Sequence, residues 1–333
     1  MIEVYKGVFI PQAWHELTAK QVTCAFELLE GFIRGEITLW DVKVSLLAYI
    51  TNYKPDDKTR TAEEREMIAC NFSLMAEHLG FLVRPVYHNP ELFEVLSPEL
   101  QKMIPNKFPF EIYDEKYRAE IDMIKGMLKY SAEINTDMHK NIIPAIDTDN
   151  GTMTGPVFDI DSYGVVKTDI RAAEYVDAYD FHKLYQTTRN EEYLNTFLAV
   201  LYRKNRLKPY STFDAQQRAS DFAHVDKYTK QAVFMWFHGL LEYFYERSPF
   251  AMLFNKQDDA EGFNLGMSNS IYSISAKGYG SKKEVENFLI SDYFAIQLRE
   301  VVEAVRTMKA YDKPIQEIER ETGLKGDIIL KIK

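Results

Sequence analysis

KYTKQAVFMWFHGLLEYFYER, residues Lys227–Arg247, is the most apolar run in the chain, and its reading decides the fold. Apolar side chains fall at Ala232, Val233, Met235, Trp236, Phe237, Leu240, Leu241, Phe244 and Tyr245. Spacings of three and four put them on one broad stripe of an α-helix. Asp226 stands where an N-cap belongs. Arg247 supplies a cation to the last turn, and Pro249 ends the helix. The uncharged run from Gln231 to Leu241 is about half the length a membrane span needs, so the helix belongs to a protein core. His238 reads as a hydrogen-bonded core histidine. Gly239, costly in a helix, reads as a close helix–helix contact.

Working outward, the segments at 168–186, 190–204 and 283–310 carry matching stripes and are expected to pack around this helix. Thr168 and Asn190 are read as the N-caps of the first two. Ser281 and Glu284 form a capping box for one long last helix. Towards the N-terminus, Thr18 with Gln21 and Thr61 with Glu64 form further boxes, and Thr38 starts a helix between them. IEVYKGVFIP reads as a short strand or extended arm. Ser97-Pro98 reads as a helix start, FLVRPVY as a strand broken by Pro85, KFPFEIYD as extended, and 115–139 as helical. Tyr53 to Arg60 is a polar loop. Asn255–Lys283, rich in Gly, Asn and Ser, is a long loop.

The fold class expected is mainly α, a multi-helix orthogonal bundle with minor short β-strands. Its parts are an N-terminal helical region over 1–146 with a short N-terminal strand, a turn-rich linker over 147–164, a C-terminal helical domain over 165–313, and a helical tail over 314–333.

Composition narrows the function classes. The 333 residues, 46% hydrophobic and 27% charged, suit a globular protein of about two domains. The formal net charge of −10 disfavours duplex nucleic acid as a partner. The 21 Tyr and 21 Phe point to aromatic helix packing. Cys24 and Cys70 sit in apolar helical patterns and read as reduced, buried thiols. With no signal peptide and no membrane span in view, the expectation is cytoplasmic, in a host cell, with virion association open.

Chemistry-bearing clusters weigh against catalysis. Asp147, Asp149, Asn150 and Gly151 suggest a calcium loop, but the EF-hand spacing fails and Phe158 stands where the closing Glu belongs. A solvated turn is the reading, with a cation site of another kind, helped by Asp159 and Asp161, as its alternative. Glu174, Asp177 and Asp180, near His182, read as a polar helix face. Asp221-Phe222-Ala223-His224 is a single carboxylate-x-x-His with no second copy. Gly266-Met267-Ser268-Asn269-Ser270 breaks the nucleophile-elbow pattern at its end. Gly278-Tyr279-Gly280-Ser281-Lys282-Lys283 could meet an anion at a helix start but is not a phosphate loop. No catalytic, cofactor or metal residue is assigned, and a protein that is not an enzyme is expected. The tail, from Pro314 through Thr322-Gly323-Leu324 to Ile329, has helix–turn–helix spacing. Its few lysines and acidic first helix favour packing or a protein partner over reading DNA.

WHELT (14–18), TDIRAAEYVDAYDFHKLY (168–185), EEYLNTFLAVLYRKNR (191–206), QAVFMWFHGLLEYF (231–244) and DYFAIQLREVV (292–302) together resemble a family of uncharacterised phage and prophage proteins from tail-gene regions. The resemblance covers 11–50 and 150–310. Leu198–Lys204 is its most recognisable piece, and 80–145 stands apart as an insertion or a divergent part. It implies a structural or chaperone-like role in tail assembly, with other tail components as protein partners, and no catalytic residues are carried over from it. A tail assembly chaperone would hold a hydrophobic partner helix in an aromatic groove. Trp14, Tyr202, Arg203, Trp236, Tyr243 and Tyr272 are the candidate partner-binding residues. The alternative is a DNA-associated or regulatory adaptor using the helix–turn–helix-like tail.

Overall fold

The computed structural model describes residues 1–5, 8–53, 61–109, 112, 114–138, 140–161, 164–254 and 266–333. The expected polar loop, from residue 54 on, and the first part of the Gly/Asn/Ser-rich stretch, 255–265, lie outside the described residues, as do three positions of KFPFEIYD. The protein is mainly α, 63% helical against 11% strand, and among the described residues its strands form only two-stranded antiparallel pairs. It divides into two compact units, Met1–Asp137 and Met138–Lys333.

The first unit opens with a hairpin, β1 (Ile2–Tyr5) against β2 (Val8–Ile10). Helices α1 (Ala19–Ile33), α2 (Leu39–Thr51) and α3 (Ala62–Ala76) follow. Thr18, Thr38 and Thr61 each close a capping box at the start of their helix, as their spacing predicts. Val22, Phe26 and Leu29 of α1 and Val42, Leu46 and Leu47 of α2 are buried in the packing of the two helices. Trp14 packs on Phe26 and Phe81 at 5.3 and 5.6 Å and donates its indole N–H to the Asn135 carbonyl at 2.7 Å.

Residues 83–134 form a closed excursion. Strand β3 (Val83–Tyr87) leaves, α4 (Pro98–Met103) and α5 (Glu115–Lys125) follow, and β4 (Tyr130–Ile134) returns antiparallel to β3, Val83 opposite Ile134. Phe93, Leu96, Leu100, Ile104, Tyr117, Ile121, Ile124 and Leu128 give this stretch a core of its own. Pro85 does not break its strand. In a two-stranded pair every strand is an edge, where a missing N–H is tolerated. The helix expected over 115–139 ends at Lys125, and Ile134 belongs to β4.

In the second unit, the segment read as a linker is instead two hairpins. They are β5 (Ala145–Thr148) with β6 (Gly151–Thr154), and β7 (Phe158–Ile160) with β8 (Val166–Thr168). Gly151 takes φ 104°, which the turn after Asp149-Asn150 requires. Helices α6 (Ala172–Thr188), α7 (Glu191–Leu201), α8 (Thr212–Arg218), α9 (Lys227–Glu242), α10 (Gly266–Ala276), α11 (Lys282–Glu286) and α12 (Ile290–Ala310) build the main core. Thr168 ends β8 and does not cap α6, which starts at Ala172 after Arg171.

The central stretch is α9 with one π-type turn, Tyr243–Arg247, and Asp226 accepts from the Thr229 N–H at 2.9 Å as its cap. Ala232, Val233, Trp236, Phe237, Leu240 and Phe244 are fully buried. Tyr175 of α6 packs its ring against Phe237, Phe244 and Phe294, joining α6, α9 and α12 as the stripes predict. The single long helix expected after Ser281 is broken at Asn287–Leu289. The break pairs with the chain entering α6. Ala172 N–H donates to the Phe288 carbonyl, Ile290 N–H to Ile170, and the Arg171 guanidinium to Asn287. Tertiary hydrogen bonds there outweigh local helix propensity.

The tail folds as α13 (Ile315–Thr322) and α14 (Gly326–Lys331) around Gly323, which is left-handed at φ 71°. Ile318, Leu324 and Ile329 close on Val305 of α12. No helix among the described residues is long and apolar enough to cross a membrane.

Candidate functional site

Burial of charge is concentrated where α6 meets the end of α7. Glu174, in the first turn of α6, is wholly buried. Its carboxylate accepts from Arg206 at 2.8 Å and from Arg203 at 3.3 Å, and also from the Arg171 backbone N–H at 3.3 Å. Arg206 forks onto Asp169 at 2.7 and 3.0 Å, and Asp169 in turn accepts from the Val157 N–H at 2.9 Å. Burial pushes the Glu174 carboxyl up, and the guanidiniums of Arg206 and Arg203 pull it part of the way back. Burial works against Arg206 as well, but the carboxylates of Glu174 and Asp169 hold its pKa above the ordinary value. The network ties β8, α6 and the segment after α7 together. Glu174 is therefore not part of a solvated polar face. Asp177, one turn on, accepts from the hydroxyls of Tyr210 and Thr212 at 2.5 and 2.6 Å.

The candidate partner residues fall mostly inside this packing. Tyr202 caps the C-terminus of α7 and Arg203 follows it. Arg203 exchanges backbone hydrogen bonds with Thr154, at 2.9 and 3.0 Å, and Tyr202 donates its hydroxyl to the Ile143 carbonyl at 2.7 Å. A Cβ on Gly155 would stand 2.6 Å from the Tyr202 ring, so only glycine allows this approach. Trp14 and Trp236 are buried in the two cores, and Tyr243 is buried and donates to the Gly164 carbonyl at 2.9 Å. Five of the six thus spend their side chains on the chain's own fold. Only Tyr272 is exposed, under the Lys282 ammonium at 4.4 Å from its ring. The structure brings no aromatic groove together from these six.

Two separate suspicions do meet. The β5–β6 hairpin and the Asp221–His224 segment line one open cavity of about 270 Å³, with Asp147, Thr148, Asp149, Asp221, His224 and Val225 on its walls. Asn150 donates to Asp221 and Thr152 to Asp147, both at 2.6 Å, so two of the carboxylates are engaged within the wall itself. Among the described residues no group of three or more His, Cys, Asp or Glu is placed to hold a metal ion. His238 lies half-exposed with its Nε2 3.9 Å from Glu242. The core histidine is His182, stacked on Phe234 at 4.1 Å.

The feature the sequence reading passed over is α3. Of its fifteen residues only Ala76 is buried. Its inner side, Ile68, Phe72 and Met75, is half-buried, with Phe72 packed on Tyr53 at 4.6 Å. Met67, Cys70 and Leu74 form a second apolar stripe on the outer side, Met67 59% and Leu74 64% exposed. Cys70 is therefore an exposed thiol, not a buried one, while Cys24 is half-buried; neither is bonded. Spacings of three and four put the stripe on one line along the helix, the geometry of a helix–helix seam. The signal was in the sequence: apolar residues on both sides of a short helix leave one side without a core to enter.

Comparison of the chain with family models, with curated proteins and with solved structures gives no match.

Proposed function

We propose that this protein is a non-catalytic structural or assembly protein of the phage-tail type, working by contact with a hydrophobic helix of a partner. The observation that carries the reading is the outer stripe of α3, where Met67, Cys70 and Leu74 meet water at helix-pairing spacing. A stripe of this kind does nothing for the fold that leaves it in water, and covering it with a partner helix would bury it. The resemblance of 11–50 and 150–310 to tail-region proteins supports the same reading. Tagged protein recovered from phage-producing cells tests it. A tail component should co-purify with the unaltered chain and be lost with Leu74→Glu, while the circular dichroism stays the same. Recovery of no tail component, or recovery indifferent to Leu74→Glu, sinks the reading.

A DNA-associated or regulatory adaptor is the second reading, favoured by the tail. Helices α13 and α14 turn about Gly323 with the dimensions of a small helix–turn–helix. Lys325, Lys331 and Lys333 are exposed there, beside exposed Asp327. Salt-sensitive duplex binding in a mobility-shift assay, lost on Lys325→Glu, would support it; no shift would remove it.

A further inference from the structure

The surroundings of the α3 stripe say what chemistry its partner carries. Glu63 precedes Met67 by four residues and Glu77 follows Leu74 by three, so the stripe runs between two carboxylates along one line of the helix. Glu64 and Glu66 flank it, and all four glutamates are exposed. At 100° per residue Arg65, the one cation of α3, falls on the opposite side from Met67. His78, just beyond the helix, shares a hydrogen bond with Gln12 at 3.4 Å. The seam is thus an apolar line of about 10 Å from Met67 to Leu74, at 1.5 Å per residue, inside an acidic rim that runs about 21 Å from Glu63 to Glu77.

From this geometry we infer that the outer face of α3 docks a basic amphipathic helix of a different protein, whose apolar residues cover Met67, Cys70 and Leu74 and whose Lys or Arg side chains reach Glu63, Glu66 and Glu77. Charge complementarity selects the occupant. A second copy of this chain would lay one acidic rim against another, and like charges across a helix seam oppose pairing. A membrane surface carrying anionic lipid is opposed by the same rim. The inference rests on the assembly reading above and adds the partner's charge and secondary structure to it.

Cys70, in the middle of the stripe, reports occupancy directly. The test uses the full chain with two synthetic amphipathic peptides of about 18 residues, long enough to run the seam. One is built from Leu and Lys, the other from Leu and Glu, and the rate of maleimide addition at Cys70 is followed. The Leu/Lys peptide should bind, slow the reaction at Cys70 and lose affinity about tenfold in Met67→Ser/Leu74→Ser. Binding should weaken in Glu63→Gln/Glu66→Gln/Glu77→Gln and stay unchanged in Glu91→Gln/Glu94→Gln/Glu115→Gln, which removes as much exposed charge in the β3–β4 excursion. The Leu/Glu peptide should leave the thiol unprotected. Three results overturn the inference: equal protection by both peptides, no protection by Leu/Lys, or protection that rises with the concentration of the protein alone. Equal protection that still depends on Leu74 would remove only the basic partner and leave the assembly reading to the co-purification result.

Discussion

Helices α9 and α3 are nearly equal in length, sixteen and fifteen residues, and each begins on a side-chain cap, Asp226 in one and Thr61 in the other. Eight residues of α9 are buried and one of α3 is. Capping chemistry marks where a helix starts; it says nothing about what the helix packs on. The arrangement of apolar residues around the axis makes the difference. In α9 they merge into one broad stripe that α6, α7 and α12 can cover. In α3 they divide between two sides, and α2 takes only one of them. A helix of this length is marginal in water, so α3 depends on its inner side for stability, and its outer stripe is free for a partner.

The largest effects should fall at the buried charge and the aromatic core of the second unit. Glu174→Gln removes the carboxylate between Arg203 and Arg206 and leaves buried positive charge less well paired. A loss of about 3–5 kcal/mol is expected in urea unfolding. A loss below about 1 kcal/mol would mean that Asp169 alone neutralises the pair. Phe237→Ala, at a ring with no exposed surface, should cost about 3–5 kcal/mol. If it costs no more than a surface change, the contrast between α9 and α3 fails. Gly239→Leu should cost about 1–3 kcal/mol through overpacking, because Gly239 is buried in α9. An unchanged melting temperature would show slack at the middle of the helix.

Acid should weaken the same core selectively. Burial, with His238 nearby, lowers the pKa of His182 from the ordinary 6.5 to about 3. The unfolded chain takes up a proton below pH 6.5 that the folded chain refuses. The contribution of His182 is therefore intact above pH 6.5 and is lost as the pH falls towards 3. The expected slope is about 1.4 kcal/mol per pH unit. Unfolding free energies of the protein and of His182→Phe, compared between pH 6.5 and 5, should diverge by that slope. Parallel curves would place a partner or water at the ring nitrogen.

Much of the helical framework was legible because its signals are local. Thr18, Thr38, Thr61, Asn190, Asp226 and Ser281 all cap the helices their spacing announces. The stripes of α6, α9 and α12 meet as their periodicity requires. The features missed depend on partners distant in sequence. The break after Glu286 is held by residues 170–172, and no local pattern at 287–289 foretells it. Glu174 looks like any carboxylate on a helix until Arg203 and Arg206 fold back on it. The β5–β6 hairpin could have been found, since Asp149-Asn150-Gly151 between Thr148 and Thr152 is a hairpin turn in its own right. The candidate aromatics were chosen for their size, and size is also what the core selects, so Trp14, Tyr202, Trp236 and Tyr243 are buried. The α3 stripe was visible as residue types but not as a surface, because only the packing shows which of its two apolar sides is covered.

The smallest expected effect sharpens the comparison most. Met67→Ser and Leu74→Ser remove apolar surface that already faces water, so the folded chain loses little packing. Each should change the unfolding free energy by less than about 0.5 kcal/mol. Ile68→Ser and Phe72→Ser, on the inner side of the same helix, should each cost more than about 1 kcal/mol through lost contact with α2. Urea titrations of the four variants compare the two sides of one helix within one background. If the outer pair costs as much as the inner pair, the stripe belongs to the fold, and α3 differs from α9 only in degree. If the outer pair is silent, the apolar character of Met67 and Leu74 has no use within the chain, and a bound partner is what accounts for it.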